Sequence, residues 1–168
     1  LHYSIVDMAL NGGFGDIIAG KKNIPVPLGD SAVGQLTGIR HQNNHDTWIV
    51  VHHHGVQRKY LAYKIDSSGI SGPIISNSFI NQPREDYEIG SMRISQDGRS
   101  LVCSDSIAEL CYFNPATGTV TPRFTFLPEY LGAPVQVDGF EFSLNSKYLY
   151  AISAGGMLPS NTAVWQFD

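Results

Sequence analysis

The stretch Met92–Val102 decides the fold, because its sequence, MRISQDGRSLV, holds a complete β-hairpin. Apolar and polar residues alternate on both sides of Asp97-Gly98, as they do in strands with one buried face. Asp tolerates a positive φ, and Gly has no Cβ to clash there, so this pair favours a tight reversal of the chain. The stretch therefore predicts two antiparallel strands.

The same hairpin returns further along the chain, at Phe140–Tyr150, with the sequence FEFSLNSKYLY. Ser143 follows Ser95 by 48 residues and occupies the same place in the pattern. A weaker copy spans residues 36–50. A fixed spacing of this size indicates that one supersecondary unit is repeated.

A second recurring unit is an alternating apolar run that ends in Asp or Asn before turn-forming residues. Its copies end at Asp7, Asp66, Asn114 and Asp168. The two units together give four strands in about 50 residues, which is the size of one blade. A single four-stranded sheet leaves both faces open, whereas radially stacked sheets cover them. The pattern predicts an all-β chain, a β-propeller fragment of about three blades of four-stranded antiparallel sheets.

The whole chain, residues 1–168, is predicted to be one partial propeller. Its blade pieces are 1–20, 36–80, 91–127 and 139–168. Residues 20–35 and 80–90 are rich in turn formers and predict inter-blade loops. Only Pro128–Leu131 predicts a short helical turn.

The number of blades raises the question of ring closure, since complete propellers usually have four to eight blades. We expect the chain to belong to a longer propeller or to complete its ring by self-association. A third route pairs Asp7–Leu10 with the last strand. The first residue is Leu1, and no signal peptide is evident, which suggests a chain cut from a longer protein or processed.

Composition excludes two classes of partner. The net charge is −4 and no basic run occurs, so we expect no nucleic-acid binding. No apolar stretch approaches the roughly 20 residues of a spanning helix, so we expect no membrane insertion.

Several segments resemble a known family. They are HYSIVDM at 2–8, GGFGD at 12–16, Lys22-Asn23, His41 with DTWIV at 46–50, FS and SKYLY within 142–150, and QFD at 166–168. They are similar to WD40- or YVTN-like β-propeller regions of large bacterial surface proteins, which often carry PKD modules and gliding-motility or type IX secretion sorting tails. The resemblance covers nearly the whole chain.

The resemblance implies an exported protein, extracellular or at the cell surface, that acts as a non-enzymatic binding or scaffold module. Its partner would be a protein or a glycan. The resemblance implies no catalytic residues and no cofactor. Two alternatives remain open. One is a propeller enzyme, a lyase or hydrolase, whose site is completed by further blades. The other is a spacer between adhesive modules. A fold alone does not choose among them.

The histidines near the second strand of the 36–80 blade are candidate metal ligands. His52 and His54 lie two residues apart, so a strand points both to one face. Zinc sites use three or four ligands, and no Cys or carboxylate cluster is nearby in the sequence. The alternative is a pair of polar side chains at a propeller rim.

The two cysteines, Cys103 and Cys111, flank a short turn symmetrically. A hairpin centred near Ile107 would place them opposite each other and allow a disulfide, which an exported protein permits. The alternative is two buried thiols that pack as small apolar groups.

Aromatic residues in loops are candidate binding residues. Most tyrosines are expected in inter-blade packing, but Tyr87 and Tyr130 fall in predicted loops. We expect them to offer stacking surfaces for a glycan or peptide. No Gly-x-Ser-x-Gly nucleophile motif occurs in the sequence.

Overall fold

The computed structural model describes residues 1–30, 32–55, 57–80, 90–104, 107–130, 133–134, 137–154 and 162–168. Over these residues the chain is all-β, as predicted, and its only helix is a 3-10 turn at Asn11–Gly13. The described residues include no helix with the length and apolarity needed to cross a membrane.

The N-terminal segment holds four two-residue strands. They are β1 (His2–Tyr3), β2 (Val6–Asp7), β3 (Asp16–Ile17) and β4 (Ile24–Pro25). β1 pairs with β4, and β2 with β3, both antiparallel. The predicted pairing of Asp7–Leu10 with the last strand is therefore wrong. β2 ends at Asp7, whose side chain accepts from the Ala9 N–H at 2.9 Å and turns the chain back towards β3.

Sheet I follows, with the strand order β5-β6-β7-β8. Its strands are β5 (Ala32–Arg40), β6 (Thr47–His53), β7 (Lys59–Asp66) and β8 (Gly69–Asn77). β6 and β7 are rich in β-branched and aromatic residues, which favour strands. β5 begins within the stretch predicted as a loop, because Ala32 pairs with His53 of β6 across a register shift.

Sheet II repeats the same order, β9-β10-β11-β12. Its strands are β9 (Met92–Ile94), β10 (Ser100–Ser104), β11 (Ala108–Phe113) and β12 (Val120–Phe126). The β9–β10 reversal confirms the predicted hairpin and spans residues 96–99. Gly98 has φ +71° there, and Asp97 Oδ1 accepts hydrogen bonds from Ser95 Oγ at 2.6 Å and the Arg99 N–H at 3.1 Å.

A short pair of strands replaces the predicted helical turn at Pro128–Leu131. β13 (Glu129–Tyr130) pairs antiparallel with β14 (Ala133–Pro134). Pro128 suits a turn as well as a helix start, so the local sequence did not distinguish the two. Leu131 lies outside the described residues.

Sheet III is β15 (Gly139–Phe142), β16 (Leu149–Ala154) and β17 (Thr162–Phe167). Its first reversal repeats that of sheet II: Ser143 Oγ donates to Asn145 Oδ1 at 2.7 Å, and Ser146 has φ +57° where sheet II has Gly98. The 48-residue repeat is therefore a structural equivalence.

The central strands of sheets I and II, β6, β7 and β10, bury side chains on both faces. Val50 lies in the cluster between sheets I and II, whereas its neighbour Val51 packs against the N-terminal segment. Leu101 likewise faces sheet I, and Val102 faces sheet III. All four side chains are at most 1% exposed. Burial of apolar area contributes about 25 cal/mol per Å² on each face.

Corresponding strands of consecutive sheets lie against each other. The first strands form one series, β5 with β9 and β9 with β15, and the last strands β8 and β12 also touch. The Val120 N–H of β12 donates to Ser76 Oγ of β8 at 3.0 Å. Within the described residues no sheet closes on itself, and β17 pairs with β16 alone.

Candidate functional site

His52 and His54 share a face, as the alternation predicted, with ring centroids 5.2 Å apart. His52 is fully buried, and its Nδ1 lies 3.1 Å from Gln35 Oε1. Among the described residues no group of three or more His, Cys, Asp or Glu side chains is placed to hold a metal ion. The positive charge of the Arg58 guanidinium also acts on His52, so a metal cation bound to His52 would be repelled. The described residues therefore do not build the predicted metal site.

The two cysteines are buried thiols that form no disulfide. The predicted disulfide is wrong, because the hairpin turns one residue earlier than expected. Cys103 pairs with Glu109, and Cys111 pairs with Leu101. This register makes the cysteines diagonal neighbours, roughly 7–8 Å apart, which is too far for a bridge. Burial raises the pKa of the Cys111 thiol, so it stays protonated and is a poor nucleophile.

The two predicted stacking tyrosines contribute no described side chain. Tyr87 lies outside the described residues. Tyr130 is the second residue of β13, and only its backbone is described. The prediction for both residues stays a prediction.

A buried carboxylate lies at the interface of sheets I and II. Glu109 is fully buried, and its oxygens accept hydrogen bonds from Tyr60 Oη, from Ser78 Oγ at 2.9 Å and from the Phe79 N–H at 2.6 Å. Burial raises the pKa of the Tyr60 phenol well above its usual range, so the phenol remains a donor. Cys111 Sγ in turn lies 3.7 Å from Tyr60 Oη. The group is fully satisfied and closed to solvent, which suits structure rather than chemistry.

A second buried group surrounds Gln35 of β5. Its Nε2 donates to the Ser104 carbonyl at 2.6 Å, and its Oε1 accepts from Cys103 Sγ at 3.1 Å. The same Oε1 accepts from His52 Nδ1, which leaves His52 Nε2 without a hydrogen-bond partner among the described residues. Gln35 thus joins β5 and β6 to β10.

Acidification is expected to destabilise the protein through His52. Burial, and then the charges of His54 and Arg58, lowers the pKa of His52 from 6.5 to about 3. The unfolded chain takes up this proton near pH 6.5, so stability is present above that pH and falls as the pH drops towards 3. The loss should reach about 2 kcal/mol by pH 5, measured as the urea midpoint against pH.

The matched control is the exposed His45. His52→Gln should remove the pH dependence between 7 and 5, whatever its own cost in stability, whereas His45→Gln should keep it. An unchanged slope in His52→Gln would refute the assignment.

A solvent-open cleft lies between the same ends of sheets I and II. Its volume is about 940 Å³. Its walls are the end of β5 with the following loop, 39–44, the β9–β10 reversal, 96–99, and the β11–β12 turn with its flanks, 112–121. The volume is at the upper end of the roughly 300–1,000 Å³ of ligand pockets, which suits an extended ligand.

Hydrogen bonds between the two sheets fix the floor of this cleft. Trp48 Nε1 donates to the Pro115 carbonyl at 2.8 Å, and the Gln42 N–H donates to the same oxygen at 3.0 Å. His41 Nε2 contacts the Ala116 carbonyl at 3.2 Å, while its Nδ1 accepts from the Asn43 N–H at 3.0 Å. The acceptor role of Nδ1 places the ring proton on Nε2. The loop after β5 is therefore held against the turn of sheet II.

The lining of the cleft mixes polar and apolar surface, with slightly more apolar than polar area. Its polar side chains include the amides and hydroxyls of Gln42, Asn44, Gln96, Asn114, Thr119 and Thr121. Tyr112 adds an aromatic ring that is 52% exposed and is stacked on the Arg123 guanidinium, 4.3 Å from the ring centroid. Amides offer a donor and an acceptor side by side, which pairs with neighbouring hydroxyls of a ligand.

The carboxylates at the cleft and beside it, Asp97 and Asp46, already have hydrogen-bond or ion-pair partners. Asp97 is the only described carboxylate that lines the cleft, and its Oδ1 accepts two hydrogen bonds within its own turn. Asp46, at the end of the neighbouring loop, pairs with Lys64 at 3.6 Å and with Asn43 Nδ2 at 2.9 Å. Glycoside hydrolysis generally needs two carboxyl groups across the substrate. The described residues of the cleft do not supply that pair.

Sequence reasoning missed this cleft. Tyr112 alternates with the buried Cys111 and Phe113, which was the available signal that its ring points the other way. No feature of the sequence near Tyr112 indicated that it lines one cleft with residues 39–44. A scan against protein-family models finds no match for the chain, and a search of curated proteins finds no significant one.

Proposed function

We propose that the chain is an arc of a β-propeller that binds a carbohydrate at the cleft between sheets I and II, without catalysis. The observation that carries the proposal is the cleft itself, an open groove that offers amide and hydroxyl side chains together with an exposed tyrosine. The proposal includes the exported or cell-surface location, which rests on the family resemblance. Self-association to complete a ring is also part of it.

The stacking of the sheets supports the propeller. Two successive sheets have the same four-strand order and a third has three strands, with first strands against first strands. A propeller requires this relation between blades, whereas a two-sheet sandwich would leave one face of every sheet to solvent. The central strands of sheets I and II instead bury both faces.

The chemistry of the cleft supports a glycan over a protein partner. A sugar ring presents adjacent hydroxyls that donate and accept, and C–H faces that pack on an aromatic ring. The fully buried core of a protein interface is apolar and depleted in charge. The cleft is concave and carries amide and hydroxyl side chains beside the Tyr112 ring, which suit the hydroxyls and C–H faces of a sugar.

The geometry does not favour the enzyme alternative. The buried polar group around Glu109, which would be the natural place for acid–base chemistry, is inaccessible, with Glu109, Tyr60 and His52 all at 0% exposure. The accessible cleft carries one described carboxylate, already hydrogen bonded. Binding is the function that the accessible residues suit.

Removal of the Tyr112 ring should weaken glycan binding. Truncation of a stacked aromatic anchor typically costs a tenfold loss of affinity or more, about 1.4 kcal/mol or above. The measurement is an array of neutral and acidic oligosaccharides, followed by calorimetric titration of each ligand found. Tyr112→Ala should lose binding.

Two controls accompany this experiment. Tyr112→Phe keeps the ring and should bind nearly as the parent does, and Phe14→Ala removes a ring that is 85% exposed and lies outside the cleft. Absence of any glycan ligand, or equal binding by Tyr112→Ala, would contradict the proposal.

A further inference from the structure

Two guanidinium groups line the cleft, and among the described residues one carboxylate, Asp97, lines it with them. Arg40 ends β5 and Arg99 ends the β9–β10 reversal, so they come from different sheets and reach one groove. Both are exposed. Among the described residues neither forms an ion pair, because the rim carboxylates Asp46 and Asp97 have the partners given above.

The charge of this groove is opposite to that of the whole chain. The protein carries a net charge of −4. The cleft has two guanidinium groups against one carboxylate that is turned into its own reversal. Arginine presents a planar fork of donors that matches a carboxylate with two parallel hydrogen bonds. Placing cations in an open groove of an acidic protein attracts an anionic ligand.

We propose that the glycan bound by the cleft is acidic, a uronate-containing oligosaccharide whose carboxylates pair with Arg40 and Arg99. This inference rests on the proposed function, since it names the sugar class for the same site. Amides and Tyr112 contact the hydroxyls and ring faces, and the two arginines select sugars that carry a carboxylate. Two charges on opposite walls suit an oligomer with acidic groups on successive sugars.

The test compares each acidic oligosaccharide with its neutral counterpart. Hexasaccharides of polygalacturonate, alginate and hyaluronan are titrated calorimetrically, each beside its carboxyl-reduced form, which keeps the linkages and loses the charge. The acidic form should bind at least about tenfold more tightly, since each charge-assisted pair contributes on that scale. Binding should weaken as salt is raised.

Variants locate the effect. Arg40→Gln and Arg99→Gln should each lower affinity for the acidic form about tenfold and leave affinity for the reduced form unchanged. Arg99→Lys, which keeps the charge but not the fork, should fall between. Arg93→Gln is the matched control, because Arg93 pairs with Glu141 at 3.6 Å outside the cleft.

The outcomes separate the two proposals. Equal binding of acidic and reduced forms would leave glycan binding intact and overturn the acidic preference. Acidic binding that ignores Arg40 and Arg99 would overturn it as well. Equal binding of a hexaglutamate peptide would make the groove a general anion site and refute a sugar-specific one. Binding of neither form would refute the proposed function itself.

Discussion

Glu109→Ala should lower the free energy of unfolding by about 3–5 kcal/mol, because it strands buried donors that each cost roughly 1–3 kcal/mol when unpaired. The donors are Tyr60 Oη, Ser78 Oγ and the Phe79 N–H, and they come from β7 and from the chain after β8. Glu109 itself is in β11 of sheet II, so its substitution weakens the contact between sheets I and II. Urea unfolding measures it.

Two further variants calibrate this result. Glu109→Gln keeps an acceptor and should cost less, about 1–3 kcal/mol. Glu141→Ala removes a carboxylate whose side chain is 62% exposed, so it should stay within about 0.5 kcal/mol of the parent. A Glu109→Ala protein as stable as Glu141→Ala would show that the buried group does not hold the sheets together.

Gly118→Ala should destabilise the protein by about 2–4 kcal/mol, because the new methyl group meets a buried indole. Gly118 has φ +74°, and a Cβ there would lie 2.7 Å from Cη2 and Cζ3 of Trp48. The positive φ costs roughly 1–2 kcal/mol for alanine, and overpacking adds roughly 1–3 kcal/mol. Urea unfolding gives the total, and Trp48 fluorescence reports the displaced ring.

Gly20→Ala is the matched control for this substitution. Gly20 has nearly the same backbone, φ +73°, and no atom lies within 4 Å of a Cβ built there. It should therefore cost only the conformational part, about 1–2 kcal/mol. Equal losses in the two variants would show that Trp48 does not restrict position 118. Because Trp48 also holds Pro115 at the floor of the cleft, Gly118→Ala should weaken glycan binding as well.

The hairpins were predictable because their causes lie within a few residues. Asp97 and Gly98 define one reversal through a side-chain acceptor and a positive φ, and Asn145 and Ser146 repeat it. The buried face of β11 was also partly predictable from the sequence. Glu109 and Cys111 lie two residues apart, so they point to the same face of the strand. A carboxylate on an apolar face indicates a buried polar group. The sequence did not identify its hydrogen-bond donors, because they lie far from Glu109 along the chain.

Where the sequence prediction was wrong, tertiary contacts had decided the matter. Cys103 and Cys111 have the symmetry of a disulfide in the sequence, yet the turn placed Glu109 opposite Cys103. A shift of one residue in the turn moves the pairing by two, because antiparallel partners change on both strands. The start of β5 at Ala32 likewise depends on its partner in β6, since strand ends follow the neighbouring hydrogen bonds.

The sequence alone determined the all-β class, the repeated hairpins and the alternation that gives sheets I and II two apolar faces. Local turn chemistry and side-chain parity act over neighbouring residues, so one chain segment suffices to specify them. Only the tertiary structure brought Arg40 and Arg99 into one cleft and held His41 against Ala116. These residues belong to different sheets, and their meeting depends on how two complete sheets pack, which no short stretch of the chain encodes.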